Sequence, residues 1–143
     1  MSEALNSGAG VPAPCPPEPI TVILPAVPDN LAVVRGLLRE WLGRARVDPE
    51  SSAVVLLAVG EATANAVEHS VIAAQRPVTL TVTAALSGNL LLLTVSDDGE
   101  WKPATEPQGY RGHGTHLINA LIDSVELTAT AGGTTVQMLK ELS

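Results

Sequence analysis

Between residues 78 and 95 the apolar pattern changes period once, and this limits the fold more than any other feature. Val78, Leu80, Val82, Ala84 and Leu86 alternate with threonines and Ala85, the period of two expected of a half-buried strand. Ser87-Gly88-Asn89 then supplies turn residues, and Leu90 to Val95 follows as a largely apolar run. The segment predicts a β-hairpin, and its apolar side calls for a covering layer.

Helices on either side of a short strand supply that layer. Ile20 to Leu24 is β-branched and closed by Pro25, which suits an edge strand because proline cannot donate to a ladder. Asp29 is expected to cap a helix in which Leu31, Val34, Leu38, Trp41 and Ala45 recur at helical spacing, with Arg35, Arg39 and Arg46 on the margin of the stripe. Asp48-Pro49-Glu50 starts a second helix, expected to run through His69, with Val55, Ala58, Val59, Ala62 and Ala66 as its apolar stripe. At about 100° per residue, Glu61, Asn65 and His69 fall along one edge of that stripe.

After the hairpin, Asp97-Asp98-Gly99 opens a polar, Pro- and Gly-punctuated loop to about Gly114. A further helix is expected over roughly Thr115 to Asp123, presenting Leu117, Ile118, Leu121 and Ile122. Val125 to Thr130 and Thr134 to Leu142 then form a second hairpin through Ala131-Gly132-Gly133. The order β, α, α, β, β, loop, α, β, β predicts an α/β (α+β) fold, a two-layer sandwich of a mostly antiparallel sheet with helices on one face.

Length and charge narrow the function. A chain of 143 residues fits one domain, without room for a second catalytic one. Residues 1–19 carry five of the eleven prolines and read as a flexible tail or linker, with the folded domain spanning 20–143. Three aromatics and no Phe imply a core of Val, Leu, Ile and Ala. A formal charge of −7 argues against nonspecific nucleic-acid binding, where Lys and Arg must replace counterions. The lone Cys15 cannot form an internal disulfide, and the N-terminus lacks a signal-peptide pattern, so a cytoplasmic setting is expected. The longest apolar run, Ala53 to Val59, is far short of the roughly 20 residues that span a bilayer.

Three segments carry candidate chemistry. Glu61 and Asn65 project a carboxylate and a carboxamide from successive helical turns. Mg²⁺ takes few protein oxygens and completes its shell with water and phosphate, so an Asn carbonyl is a suitable partial ligand and Glu61 could accept a proton nearby. Any exposed helix shows acids at such spacing. These two differ by bordering an alanine-rich stripe, where polar groups need partners or a ligand. His69 reads as a helix-end packing or capping residue. Asp97 follows an apolar strand and could accept a specific hydrogen bond, an adenine amine being one candidate donor and a simple turn the other reading. Gly109 to Thr115 leads into a helix, so its backbone N–H groups could cradle phosphate. The segment lacks the context of a P-loop and the spacing of a Rossmann unit. His113 and His116 have no Cys partner for a structural zinc site, and neither a nucleophile elbow nor the eukaryotic protein-kinase motifs occur.

Taken in order, Glu61-xxx-Asn65-xxx-His69, Asp97-x-Gly99, Gly112-x-Gly114 with Leu117, and Gly133-Thr134 resemble the GHKL superfamily of gyrase, histidine kinases and MutL. The short chain, the Glu-Ala-x-x-Asn-Ala-x-x-His form and the absent phospho-acceptor domain are similar to the bacterial anti-sigma factor serine kinases of the RsbW type. The similarity spans about Ile20 to Leu142. It implies a histidine kinase-like ATPase fold with ATP and Mg²⁺ as cofactors. By the resemblance Asn65 binds Mg²⁺, Asp97 the adenine amine, Gly99 lets the base approach, Gly112, Gly114 and Thr115 wrap the phosphates, and Thr134 supports the adenine site. Glu61 is the implied general base toward a serine hydroxyl. Arg35 falls where the family has a partner-contacting arginine, and Arg39 and Arg46 extend that basic edge, a solvated helix face being the plainer reading.

The function expected is an ATP- and Mg²⁺-dependent serine protein kinase that phosphorylates an anti-anti-sigma (STAS-type) protein and sequesters a sigma factor. A homodimer is a further option, and neither nucleic acid nor a membrane is an expected partner. A nucleotide-responsive binding module without phosphoryl transfer is the alternative. The ATP-binding half of a two-component histidine kinase ranks last, because no helical hairpin with a phospho-accepting histidine is present.

Overall fold

The computed structural model describes residues 17–70, 76–99, 122–130 and 132–142. Five strands form one antiparallel sheet: β1 (Ile20–Pro25), β2 (Thr79–Ser87), β3 (Leu90–Asp97), β4 (Ser124–Thr130) and β5 (Gly133–Glu141), in the spatial order β1-β2-β3-β5-β4. β1 is an edge strand, as its closing proline requires, and β3 lies at the centre. The β2–β3 hairpin turns at Gly88, whose φ of 61° is the left-handed conformation that a tight turn demands.

Two helices cover one face, giving the expected two layers. α1 (Asp29–Arg44) buries Val34, Leu38 and Trp41 of the predicted stripe and adds Leu42. Asp29 does not cap this helix. The cap position is Pro28, without a side-chain hydrogen bond, and Asp29 lies in the first turn, where a carboxylate still favours the helix dipole. Asn30 Nδ2 instead donates to the Pro25 carbonyl at 2.7 Å, which fixes the chain between β1 and α1. Arg46 is not on the helical margin either: α1 ends at Arg44, and Arg46 turns the chain with a φ of 61°. Trp41 Nε1 donates to the Glu18 carbonyl at 2.8 Å, tying the segment before β1 to α1.

α2 (Pro49–Asn65) starts as the sequence predicts. The Asp48 carboxylate accepts from the Ser51 backbone N–H at 2.9 Å, with proline at the first helical position. That bond, with a smaller contribution from the Ser51 side chain, holds the Asp48 carboxyl below the usual carboxylate range. Val55, Ala58, Val59, Ala62 and Ala66 are all buried. The helix does not continue regularly through His69. From Ala66 to Ser70 it widens into a π-helical turn, which packs on β3 and β5. Local periodicity carries no trace of a distortion that accompanies docking on distant strands.

The core lies between α1, α2 and the alternate residues Leu80, Val82 and Ala84 of β2, Leu91, Leu93 and Val95 of β3, and Val136 and Met138 of β5. It is aliphatic apart from Trp41. Full burial of each Val or Leu contributes roughly 1.5–3 kcal/mol, so this layer dominates the stability. On the opposite face of the sheet Thr81, Ser96, Thr135 and Thr128 stand in one polar row across β2, β3, β5 and β4. No described element covers it. Of the helix expected over Thr115–Asp123, residues 115–121 lie outside the described residues, and Ile122 and Asp123 are not helical. Asp123 leads into β4 and accepts from the Glu141 N–H at 2.6 Å.

Candidate functional site

Asp97 is the last residue of the central strand. Its parity with Leu91, Leu93 and Val95 sets its side chain on the helix-covered face. Its Oδ1 accepts from the Gly99 N–H at 2.9 Å, a two-residue turn that fixes the carboxylate as the chain leaves the sheet. Gly99 is itself buried. Directly across the ladder from Asp97 stands Thr134 of β5.

Thr134 is 3% exposed, and among the described residues its Oγ1 has no hydrogen-bond partner. A buried hydroxyl left unpaired costs about 1–3 kcal/mol, so the position is unfavourable unless something else satisfies it. Thr63, the other buried polar residue of the core, donates to the Val59 and Gly60 carbonyls and carries no such deficit. The orphaned hydroxyl and the inward carboxylate therefore form one polar corner at the end of an aliphatic layer.

Helix α2 reaches the same region. Asn65 is its last residue, half-buried, and the π-helical turn that follows packs on the two strands bearing Asp97 and Thr134. Glu61, one turn earlier and also half-buried, opens toward α1 instead. It lines a cleft of about 390 Å³ between the two helices, and Arg35 lines the same cleft from α1. Arg39 is exposed on the next turn and does not line it. The structure thus brings together Asp97, Gly99 and Thr134 at one end of the sheet, and Glu61 with Arg35 between the helices. Gly112, Gly114 and Thr115, like His113 and His116, lie outside the described residues, as does the His69 side chain.

Two residues that the sequence marks only as turn or motif positions hold this corner in place. Gly133 has a φ of 142°, and a Cβ there would lie 2.0 Å from the Asp97 carbonyl oxygen, so only glycine allows β5 to approach β3 beside Asp97. The Gly-Gly pair preceding Thr134 was the available signal. Asp98 faces away from the helices. Its Oδ1 accepts from the Thr79 N–H at 2.7 Å and lies 3.9 Å from Arg76 Nη1, pinning the start of β2 to the end of β3. An aspartate at a strand end reads as a turn residue, so its bond to another strand is invisible locally.

The donor set also bears on a metal. No group of three or more His, Cys, Asp or Glu that could hold one occurs among the described residues. No helix among the described residues is long and apolar enough to cross a membrane.

Comparison with known proteins bears on the family and the fold. The histidine kinase-like ATPase domain family matches residues 24–140. The crystal structure of the RsbU and RsbW domains of Rv1364c from Mycobacterium tuberculosis superposes with a TM-score of 0.70 at 28% sequence identity, covering 89% of this chain and 33% of that one. The chain therefore spans about a third of the length of that solved chain.

Proposed function

Since the chain belongs to the histidine kinase-like ATPase domain family, we propose that it is an ATP- and Mg²⁺-dependent serine protein kinase of the RsbW type. In this reading it phosphorylates a STAS-type anti-anti-sigma protein and sequesters a sigma factor in the cytoplasm. The likeness to a structure containing an RsbW domain supports the class. The observation that carries the reading is the buried Thr134 hydroxyl, without a partner among the described residues and directly across from Asp97.

In the proposed complex Asp97 accepts from the exocyclic amine of adenine, Thr134 satisfies its hydroxyl at the same end of the ligand, and Gly99 leaves room for the base. Asn65 would hold Mg²⁺, which when bound neutralises charge on the phosphates. Backbone N–H groups of Gly112, Gly114 and Thr115 would wrap the phosphate chain. Glu61 removes the proton from the acceptor serine as its oxygen bonds to the γ-phosphorus. The bond from that phosphorus to the bridging oxygen breaks, and ADP leaves with the electron pair. The phosphoserine adds negative charge at the interface and releases the partner.

The position of Glu61 in a cleft it shares with Arg35, rather than beside Asp97 and Thr134, favours phosphoryl transfer over a module that only binds nucleotide. Nucleotide binding needs no acid there. The test is transfer of labelled γ-phosphate from Mg-ATP to the cognate partner. Serine-linked label with wild type and its loss with Glu61→Gln support the proposal; wild-type labelling by Glu61→Gln overturns the assigned base.

A further inference from the structure

A single peptide group, the one joining Asp98 to Gly99, connects Asp97 to a cation. The N–H end of that group belongs to Gly99 and donates to Asp97 Oδ1 at 2.9 Å. The carbonyl end belongs to Asp98 and accepts from Arg76 Nη2 at 2.5 Å. A peptide is planar and its N–H and C=O point in opposite directions, so whatever holds one end sets the direction of the other.

Arg76, just before β2, is itself steadied for this contact, because its Nη1 donates to the Pro77 carbonyl at 3.0 Å. The Asp98 carboxylate plays a lesser part. Its Oδ1 lies 3.9 Å from Arg76 Nη1, beyond hydrogen-bond reach, and both side chains are about half exposed, where an ion pair contributes little. That oxygen is engaged by the Thr79 N–H at 2.7 Å. The contact between guanidinium and carbonyl is the stronger one: it is charge-assisted, and it polarises the peptide so that the Gly99 N–H becomes a better donor to Asp97.

We infer that Arg76 is a positioning residue for recognition of the base. It acts without touching the base: by gripping the Asp98 carbonyl it fixes the Asp98–Gly99 peptide, and that peptide fixes the Asp97 carboxylate in the plane in which it accepts from the exocyclic amine. The inference rests on the reading of Asp97 as the acceptor of that amine. It adds a residue that acts through the main chain, on the side of the sheet opposite the helices.

The experiment compares Mg-ATP with Mg-inosine triphosphate, whose base carries a carbonyl oxygen where adenine has its amine. Calorimetry is run on the whole chain as wild type, Arg76→Met and Asp98→Asn. Wild type should prefer ATP by roughly 10- to 100-fold, the range of a hydrogen bond to a charged group. Arg76→Met keeps the stem and removes the donors, and should cut this preference by roughly three- to tenfold. Asp98→Asn keeps the main-chain carbonyl and should match wild type. A merely structural weakening lowers both affinities together and leaves their ratio unchanged, so the ratio reports how Asp97 is aimed. An undiminished preference in Arg76→Met overturns the inference, and so does an equal fall in Asp98→Asn, which would assign the effect to the ion pair. The nucleotide reading fails separately: a wild type that gives no heat with ATP, or binds both nucleotides equally, removes the adenine site and with it the task given to Arg76.

Discussion

Where β3 meets β5, the chain sets the same two residue types on both sides of the sheet, and their circumstances differ. Asp97 and Thr134 face the helices; Asp98 and Thr135 face away. On the open side Thr135 is exposed, in the cross-strand row with Ser96 and Thr128, and Asp98 is engaged by the Thr79 N–H and Arg76. On the covered side Thr134 is buried and its hydroxyl is unpaired among the described residues. Hydroxyls on a solvated sheet face cost nothing because water satisfies them. A deficit on the covered face costs stability in the ligand-free protein, which is why the covered corner is the one proposed to receive a ligand.

This contrast can be broken most easily in turnover. Glu61→Gln, on the helix side, should lower phosphoryl transfer to the partner by about 10²- to 10⁴-fold, while Asp98→Asn, on the open side, keeps near-wild-type transfer in the same assay. Equal loss in both would show that the two faces are not functionally distinct.

A second test strikes the backbone that joins the faces. Gly133→Ala places a Cβ against the Asp97 carbonyl and should cost about 3 kcal/mol or more in chemical denaturation. Gly88→Ala is the control, since nothing lies within 4 Å of its Cβ and only the positive φ is penalised, by about 1–2 kcal/mol. If the two costs match, the close approach at Gly133 is not what holds the corner.

The smaller side-chain change sharpens the comparison further. Thr134→Val removes the unpaired hydroxyl and should raise ligand-free stability by about 1 kcal/mol while weakening ATP. Thr135→Val should change stability by no more than about 0.5 kcal/mol and leave ATP affinity alone. Melting curves with and without nucleotide read both effects.

Much of this architecture was legible because it is local. The stripe from Val55 to Ala66, the Asp48-Pro49 start and both hairpins depend on residues within a turn or two of one another. Asp29 misled because a good capping residue sits one place after the actual cap, where Pro28 enters the helix. The π-helical turn after Asn65, the pairing of Asp97 with Thr134 and the bond from Asp98 to Thr79 arise between residues far apart in sequence, and no periodicity encodes them. Of the candidate site, Asp97 and Glu61 could be singled out by residue type, but their assignment to different places, sheet corner and interhelical cleft, required the register and the packing of α1 on α2.

The weakest expected effect lies far from either face. The Asp48 carboxyl is held low by the Ser51 N–H, so its contribution is complete above the ordinary carboxyl pKa and is lost as pH falls through the lowered folded-state value. Asp48→Ala should therefore melt earlier than wild type at neutral pH, with the gap closing under acid conditions. A gap independent of pH would mean that the cap acts through packing rather than charge.

The central claim is that the covered corner, not the open one, receives adenine nucleotide. Titration calorimetry of Mg-ATP into wild type, Asp97→Asn and Asp98→Asn tests it directly. Asparagine can still accept from Gly99 or Thr79, but at Asp97 it removes the charge offered to the base. The account predicts binding by wild type and Asp98→Asn, and affinity lower by roughly 10- to 100-fold in Asp97→Asn. Undiminished binding by Asp97→Asn, or no heat with wild type, would contradict it.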